Sequence, residues 1–443
     1  MIHQICKLFE DKNILLLGFG REGKSTYHFI RKYFPDKIIG IYDQNGIKTP
    51  LPNVTIYTGD SYEELLKEYD LVIKSPGIVL NTSEERWLSK FTSQTDLFLQ
   101  FYDAQTIGIT GTKGKSTTSS LVHHIFEHAG KDTILVGNIG VPVFDTLDKI
   151  NDETVVVFEL SSHQLEYVTH SPHFGVLLNI FQEHLDHYGT FDKYKAAKEN
   201  IYQFQKQGDV ILYNPEFYEI PKGCHSNQIT ISNHMESADV IIKDYRIIDG
   251  IDQLTIDENE ITLMGNHNLY NIGVSYAISK YYGIDQTVFL EAIKTFQPLP
   301  HRMEYVGELN GVKFYNDSIS TICETTMNNV NCVDDVDTVI LGGMDRGIDY
   351  QPLVDFLLES EIRNIVLMPD TGYRIHKLIL EDKHRRKDQN LFPVKGIEEA
   401  VEIAKKETAK GMTCLFSPAA ASYGFFKNFE ERGEVFKRLL LQE

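Results

Sequence analysis

Thr110-Gly111-Thr112-Lys113-Gly114-Lys115-Ser116-Thr117 follows the apolar run 106–110 and opens a helix-length segment, so it reads as strand, glycine turn and helix N-terminus in succession. Its chemistry suits a nucleoside triphosphate. Gly111 and Gly114 open the backbone, Lys115 can neutralise charge on the β- and γ-phosphates, and the Ser116 or Thr117 hydroxyl can reach a magnesium ion. Position 109 is isoleucine, so the strict P-loop pattern is missed. An acidic partner is nevertheless present, because the apolar run 155–158 ends in Glu159, a carboxylate able to hold the same ion.

A second glycine loop lies upstream. Gly18-Phe19-Gly20-Arg21-Glu22-Gly23-Lys24-Ser25 fits both a dinucleotide fingerprint, with Asp43 closing the next strand, and the P-loop expression. In either case backbone N–H groups and a helix N-terminus face a diphosphate. A tight strand-to-helix turn would need the same glycines, and the pattern alone does not choose among these readings.

Working outward, short apolar runs alternate with helix-length stretches almost throughout, the pattern of parallel sheets covered by helices. Expected strands are 14–17, 38–42 and 71–74, then 106–110, 155–158, 176–180 and 210–213, then 339–341, 365–368 and 413–416. Segment 225–263 is richer in strand-length runs and is expected to hold some antiparallel structure. The fold class is α/β in three domains, an N-terminal Rossmann-like unit, a central P-loop ATPase with a mixed sheet, and a C-terminal Rossmann-like unit. The seams fall near residue 102 and near Pro298-Leu299-Pro300, giving domains 1–102, 103–303 and 304–443.

Composition narrows the function. A chain of 443 residues suits two to four domains of about 150 residues. With 43 basic against 63 acidic residues the formal charge is -20, which disfavours nucleic acid and anionic membranes as partners. The five cysteines at 6, 224, 323, 332 and 414 form no CxxC pair and are expected to be free thiols. No apolar run approaches the roughly 18 residues of a membrane span, so a soluble, cytoplasmic protein is expected. The cluster Glu183-His184-Leu185-Asp186-His187 is not HExxH and is a poor zinc site, but it would suit an oxygen-preferring ion such as Mg2+.

Taken together these residues resemble the Mur ligases, ATP-dependent amide-forming enzymes of peptidoglycan synthesis. The resemblance spans nearly the whole chain: TGTKGKST at 110–117, GNIG at 137–140, ELSSHQL at 159–165, NIFQEHLDH at 179–187, YKAAK at 194–198, GNHNLYN at 265–271 and LPHR at 299–302. GFGREG at 18–23, SPG at 75–77 and SPAAASYGFFKNFEERG at 417–433 look most like the branch that adds glutamate to UDP-N-acetylmuramoyl-L-alanine.

The resemblance implies that the first loop binds the UDP substrate and the second ATP. ATP would be bound by Gly111, Thr112, Lys113, Gly114, Lys115, Ser116, Thr117, Asn268, Asn271, Arg302 and Asp317. The UDP substrate would contact Gly20, Arg21, Glu22, Asp43, Gln44, Ser75, Pro76, Gly77, Asn138, Ser161 and Gln164. Thr321, Arg346, Ser422, Tyr423 and Phe429 would hold the amino acid, D-glutamate in the usual case. Lys115, Glu159, His184 and Lys198 would be catalytic. Two Mg2+ ions would be held by Ser116, Glu159, His184 and carbamylated Lys198. The acyl carboxylate would first become an acyl phosphate, which the amine then attacks. A monomer is expected.

Departures from the family pattern are Ile319 after Asn316-Asp317-Ser318, where lysine is usual, Arg346 for lysine, Glu183 for aspartate, and Tyr423-Gly424 for Leu-Asp. Rival readings are the same reaction with L-glutamate or another amino acid, a folylpolyglutamate-synthase-like ligase, a nicotinamide-dependent dehydrogenase using Gly18 to Gly23 and Asp43, and a nonenzymatic nucleotide-binding protein.

Overall fold

The computed structural model describes every residue except Lys48, Asp60, 81–84, Met264, Cys332 and Glu443, together with the side chains of Glu85, Arg86 and Asp186. The chain forms two compact units, one of residues 1–261 and 267–296, the other of 262–266 and 297–443.

The first unit carries two sheets. The N-terminal one is parallel, in the order Val54–Tyr57, Ile39–Tyr42, Ile14–Leu17, Leu71–Lys74, Phe91–Thr92. Ile14–Leu17 sits at its centre, buried on both faces, which explains why it reads as an unbroken apolar run. The second sheet has nine strands. Its parallel centre places Phe174–Leu177, Thr106–Thr110 and Val155–Glu159 side by side, so their carboxyl ends open on one edge. The two sheets share one apolar core, in which the Phe29 ring lies 4.9 Å from Phe144 and Phe98 lies 5.7 Å from Phe158.

One expectation needs correction. The strand expected at 176–180 is Phe174–Leu177, and residues 178–180 leave the ladder because Asn179 bonds the glycine loop instead: Thr112 N donates to its carbonyl at 3.0 Å and Lys113 N to its Oδ1 at 2.9 Å. Segment 225–263 holds the expected antiparallel structure over part of its length. Asn227–Ser232 and Val240–Lys243 continue the parallel ladder, and the antiparallel part is Val240–Lys243 with Arg246–Asp249 and Asp252–Thr255.

The second unit has a six-stranded sheet, ordered Glu304–Leu309, Val312–Asn316, Thr413–Phe416, Val336–Leu341, Asn364–Leu367, Asn390–Pro393. All pairs are parallel except the first. Asn316, Phe416 and Leu341 therefore end side by side, and the loops that follow them converge. Among the described residues no helix is long and apolar enough to cross a membrane, and Cys6, Cys224, Cys323 and Cys414 are free thiols, while Cys332 lies outside the described residues.

Candidate active site

The two glycine loops differ in how their lysines are held. At 110–117, Gly114 takes φ +86° just before the helix Lys115–His128, and a Cβ there would stand 2.7 Å from Asn271 Oδ1. The helix N-terminus therefore meets bare backbone. Lys115 folds back across its own loop, donating from Nζ to Gly111 O and Thr112 O at 2.8 Å each. By contrast Lys24 is exposed. Its loop is closed by contact with its neighbours: Gly18 takes φ +91°, Ser75 Oγ donates to Gly18 O at 3.0 Å, and Phe19 N donates to Asp43 Oδ2 at 2.9 Å. Gln44 follows, exposed.

The surroundings of 110–117 come from distant sequence. Thr118 Oγ1 donates to Asn271 Oδ1 at 3.1 Å, and Asn271 Nδ2 to Asn268 Oδ1 at 3.1 Å, tying the 265–271 motif to the loop. Thr112 Oγ1 lies 2.9 Å from Tyr194 OH. Lys198 is 1% exposed, and its Nζ donates to Gly111 O at 2.8 Å and Thr110 Oγ1 at 3.3 Å. Burial, with the Lys115 charge beside it, pushes the Lys198 amine well below the usual lysine range.

Glu159 ends its strand fully buried, and Asn138 Nδ2 donates to Oε1 at 2.7 Å. Its Oε2 is buried with no hydrogen-bond partner. An ionised carboxylate oxygen so placed is costly unless a cation meets it, so Glu159 fits a Mg2+ ligand on chemical grounds. His184 sits on the same edge with φ +55°, its ring 4.9 Å from that of His163 and 6.0 Å from Tyr194. Glu183 pairs with Lys113 Nζ at 2.9 Å; burial raises its pKa, but the Lys113 ammonium together with His184 and Lys115 outweighs that, leaving the carboxyl below its ordinary range. Among the described residues no three His, Cys, Asp or Glu side chains gather as a metal-binding group, so the ions of the expected set would also need Ser116 and Lys198.

A buried polar seam runs from the first loop to this edge. Gln164, bonded within the Ser161 capping box, donates from Nε2 to Glu22 Oε1 at 2.8 Å. Burial pushes Glu22 up to about 7. Lys74, drawn down by burial to about 8, donates to Pro76 O at 3.1 Å and lies 3.8 Å from Glu166 Oε2, which is 3.0 Å from His187 Nε2. Gln164 thus bonds the first loop at Glu22, with Ser161 beside it in the capping box, Asn138 is held to Glu159, and Lys74 runs from Pro76 toward Glu166. Sequence reading missed Lys74, Glu166, His163 and Tyr194, although the last two lie inside quoted motifs.

In the second unit Asp317 is fully buried, its Oδ2 accepting from Asn329 Nδ2 and Ser417 Oγ at 2.6 Å each, and burial raises its pKa. Arg346 is exposed and donates to Thr321 O at 2.9 Å, while Met344 N donates to Ala421 O at 2.8 Å, so the loops holding Thr321, Arg346 and Ser422 are stitched together. Ser422 is buried, Tyr423 is exposed, and the Phe429 carbonyl accepts from Ser318 Oγ at 2.8 Å. Arg302 lies in this unit, whereas Asn268 and Asn271 lie in the first.

Residues 109–279 match the Mur ligase middle domain. Over 97% of this chain and 98% of its own length, a Clostridioides difficile protein named "UDP-N-acetylmuramoylalanine--D-glutamate ligase" is 33% identical. A protein of the same name from Acetivibrio thermocellus is 30% identical over 99% of this chain and 98% of its own. Among solved structures, MurF from Acinetobacter baumannii superposes with a TM-score of 0.61 at 14% identity, covering 97% of this chain and 90% of that one. MurC from Thermotoga maritima gives 0.59 at 17% identity, covering 96% and 98%. Full-length identity at this level, on a fold shared with these structures and with the glycine loop, Glu159 and Lys198 gathered on one edge, means that the chain belongs to the Mur ligase family.

Proposed function

We propose that the chain is an ATP-dependent ligase that joins D-glutamate to UDP-N-acetylmuramoyl-L-alanine, acting as a cytoplasmic monomer in peptidoglycan precursor synthesis. Residues 1–102 take the sugar nucleotide, 103–303 the ATP and 304–443 the amino acid. The carrying observation is the arrangement on one sheet edge of Lys115 across its loop, Glu159 with an unpartnered buried oxygen, and Lys198 beneath Gly111.

The alanyl carboxylate is a poor electrophile. Its oxygen attacks the γ-phosphorus of ATP, the bond to the β-phosphate bridging oxygen breaks, and ADP leaves an acyl phosphate. The amine of glutamate then attacks the acyl carbon, the bond to phosphate breaks, and the amine gives up its proton to solvent. Lys115 meets the phosphates with its ammonium, and the 114–117 backbone presents N–H groups to them. Ser116, Glu159, His184 and Lys198 would hold Mg2+, two ions in all, which when bound supplies charge neutralisation at the transferring phosphoryl group. Lys198 needs an anionic form for that role. Its buried, deprotonation-prone amine favours reaction with carbon dioxide to a carbamate. Gly20, Arg21, Glu22, Asp43, Gln44 and Ser75-Pro76-Gly77 orient the sugar nucleotide, with Asn138, Ser161 and Gln164 at its peptide end.

Phosphate release from ATP tests the reading, with UDP-N-acetylmuramoyl-L-alanine and a panel of D- and L-amino acids. Release is expected only when acceptor and D-glutamate are both present. Equal release with alanine or lysine, or none with any amino acid, sinks the proposal, and faster release with L-glutamate changes only the enantiomer.

A further inference from the structure

In the second unit, Arg432 stands on the helix Phe429–Leu441 and is 1% exposed. Its Nε donates to Ser318 Oγ at 3.0 Å, Nη2 to Ser318 O at 2.7 Å, and Nη1 to Ala420 O at 3.0 Å. A third loop passes close by, since a Cβ on Gly343 would stand 3.0 Å from Nη1. One guanidinium thus bonds the loops after Asn316 and Phe416 and lies near the loop after Leu341, the loops that carry Thr321, Ser422 and Arg346.

All three acceptors are neutral. The carboxylate nearby, Asp317, is already bonded by Asn329 and Ser417 and acts on Arg432 through space. Burial draws the guanidinium down only to about 10, with Asp317 opposing, so it is cationic at neutral pH. A buried cation whose hydrogen bonds all go to neutral oxygens leaves a positive potential at the converging loops, where a ligand's negative charge would be met. The rigid fork also fixes loop spacing in a way a flexible ammonium would not.

We propose that Arg432 is a positioning and specificity-determining residue that makes the amino-acid site select a dicarboxylate over its neutral isostere. The inference rests on the glutamate reading above. In the full-length enzyme, kcat/KM is measured for D-glutamate and D-glutamine in wild type, Arg432→Gln and Arg432→Lys. Arg432→Gln is expected to raise the KM for D-glutamate at least tenfold and to shrink the glutamate-to-glutamine preference at least tenfold, with the KM for ATP within twofold. Arg432→Lys should keep the preference within threefold while lowering both kcat/KM values. An unchanged preference in Arg432→Gln, or all KM values moving together, overturns the proposal. Should Arg432→Gln fail to fold, Ser318→Ala removes the Nε acceptor and is expected to raise the KM for D-glutamate threefold or more with that for ATP unmoved; no change there also overturns it. Wild type that turns over with no D-glutamate dependence refutes the glutamate reading itself, a separate result.

Discussion

Lys115 and Lys198 share an acceptor: each donates from Nζ to Gly111 O at 2.8 Å. Two ammonium groups on one carbonyl repel, and the more buried one loses. Lys198 carries the depressed pKa, with burial first and Lys115 second among its causes. Burial thus sets the two lysines apart, the amine form being favoured at Lys198 beyond what an ordinary lysine shows.

That division makes Lys198 the more demanding position. Lys198→Ala is expected to cut turnover by about 100-fold or more, and added short carboxylic acids to restore part of it by filling the vacated site. Full activity of the variant, or an unaltered magnesium dependence, would remove Lys198 from the metal set.

The two loops should separate by substrate. Lys115→Ala removes charge opposite the transferring group, so kcat should fall by about 100-fold to 1,000-fold. Exposed Lys24 bonds its own loop through the backbone, N to Gly20 O at 3.0 Å, a bond that alanine keeps, so Lys24→Ala should raise the KM for the UDP substrate severalfold at most and leave that for ATP alone. Steady-state kinetics with each substrate varied in turn decides it, and the reverse pattern exchanges the loops.

Glu22 should leave a mark on stability. Burial lifts its carboxyl from 4.5 to about 7. Between those values the folded chain holds a proton that the unfolded chain has lost, so this group's contribution to stability falls as pH rises through the window. Glu22→Gln removes the penalty. Its Tm relative to wild type should rise between pH 5 and pH 8, and a pH-independent difference would show that Glu22 is already ionised when folded.

Much of this was legible locally. Glycine loops announce themselves because the residues that shape the turn also touch the phosphate. Glu159 was readable because a carboxylate at the end of an apolar run is out of place. What failed was non-local. The strand at 174–177 stops early because Asn179 pairs with Thr112 and Lys113, residues far upstream. The edge strands Thr133–Gly137 and Val54–Tyr57 are partly exposed, and their apolar residues are fewer or broken by Thr55. Arg432 lay inside a quoted motif with its partner Ala420, yet its other partner, Ser318, comes from a distant strand's loop, and no spacing rule reveals that its charge is buried.

Gly23 tests the packing of the first loop. A Cβ there would stand 2.2 Å from Gly18 O, a backbone atom that cannot swing aside. Gly23→Ala should destabilise the chain by about 1–3 kcal/mol, as overpacking does, and raise the KM for the UDP substrate. Denaturant unfolding measures the first effect, and wild-type stability would mean that the loop relaxes freely.

Amino-acid choice is the last point to probe, through Arg346. Its guanidinium is exposed and tied to Thr321 O at 2.9 Å, so one N–H is spent orienting the fork while the rest remain for a carboxylate. A guanidinium accepts a carboxylate in its own plane, whereas an ammonium accepts it from several directions. Arg346→Lys keeps the charge and loses the plane. The KM for D-glutamate should rise about threefold to tenfold, in line with one weakened charge-assisted bond, and the preference over L-glutamate should narrow because the α-carboxylate is less strictly aimed. Arg346→Ala removes the charge as well and should cost more. If the lysine variant keeps both the KM and the enantiomer preference, Arg346 serves only the Thr321 turn and the glutamate carboxylates are bound elsewhere.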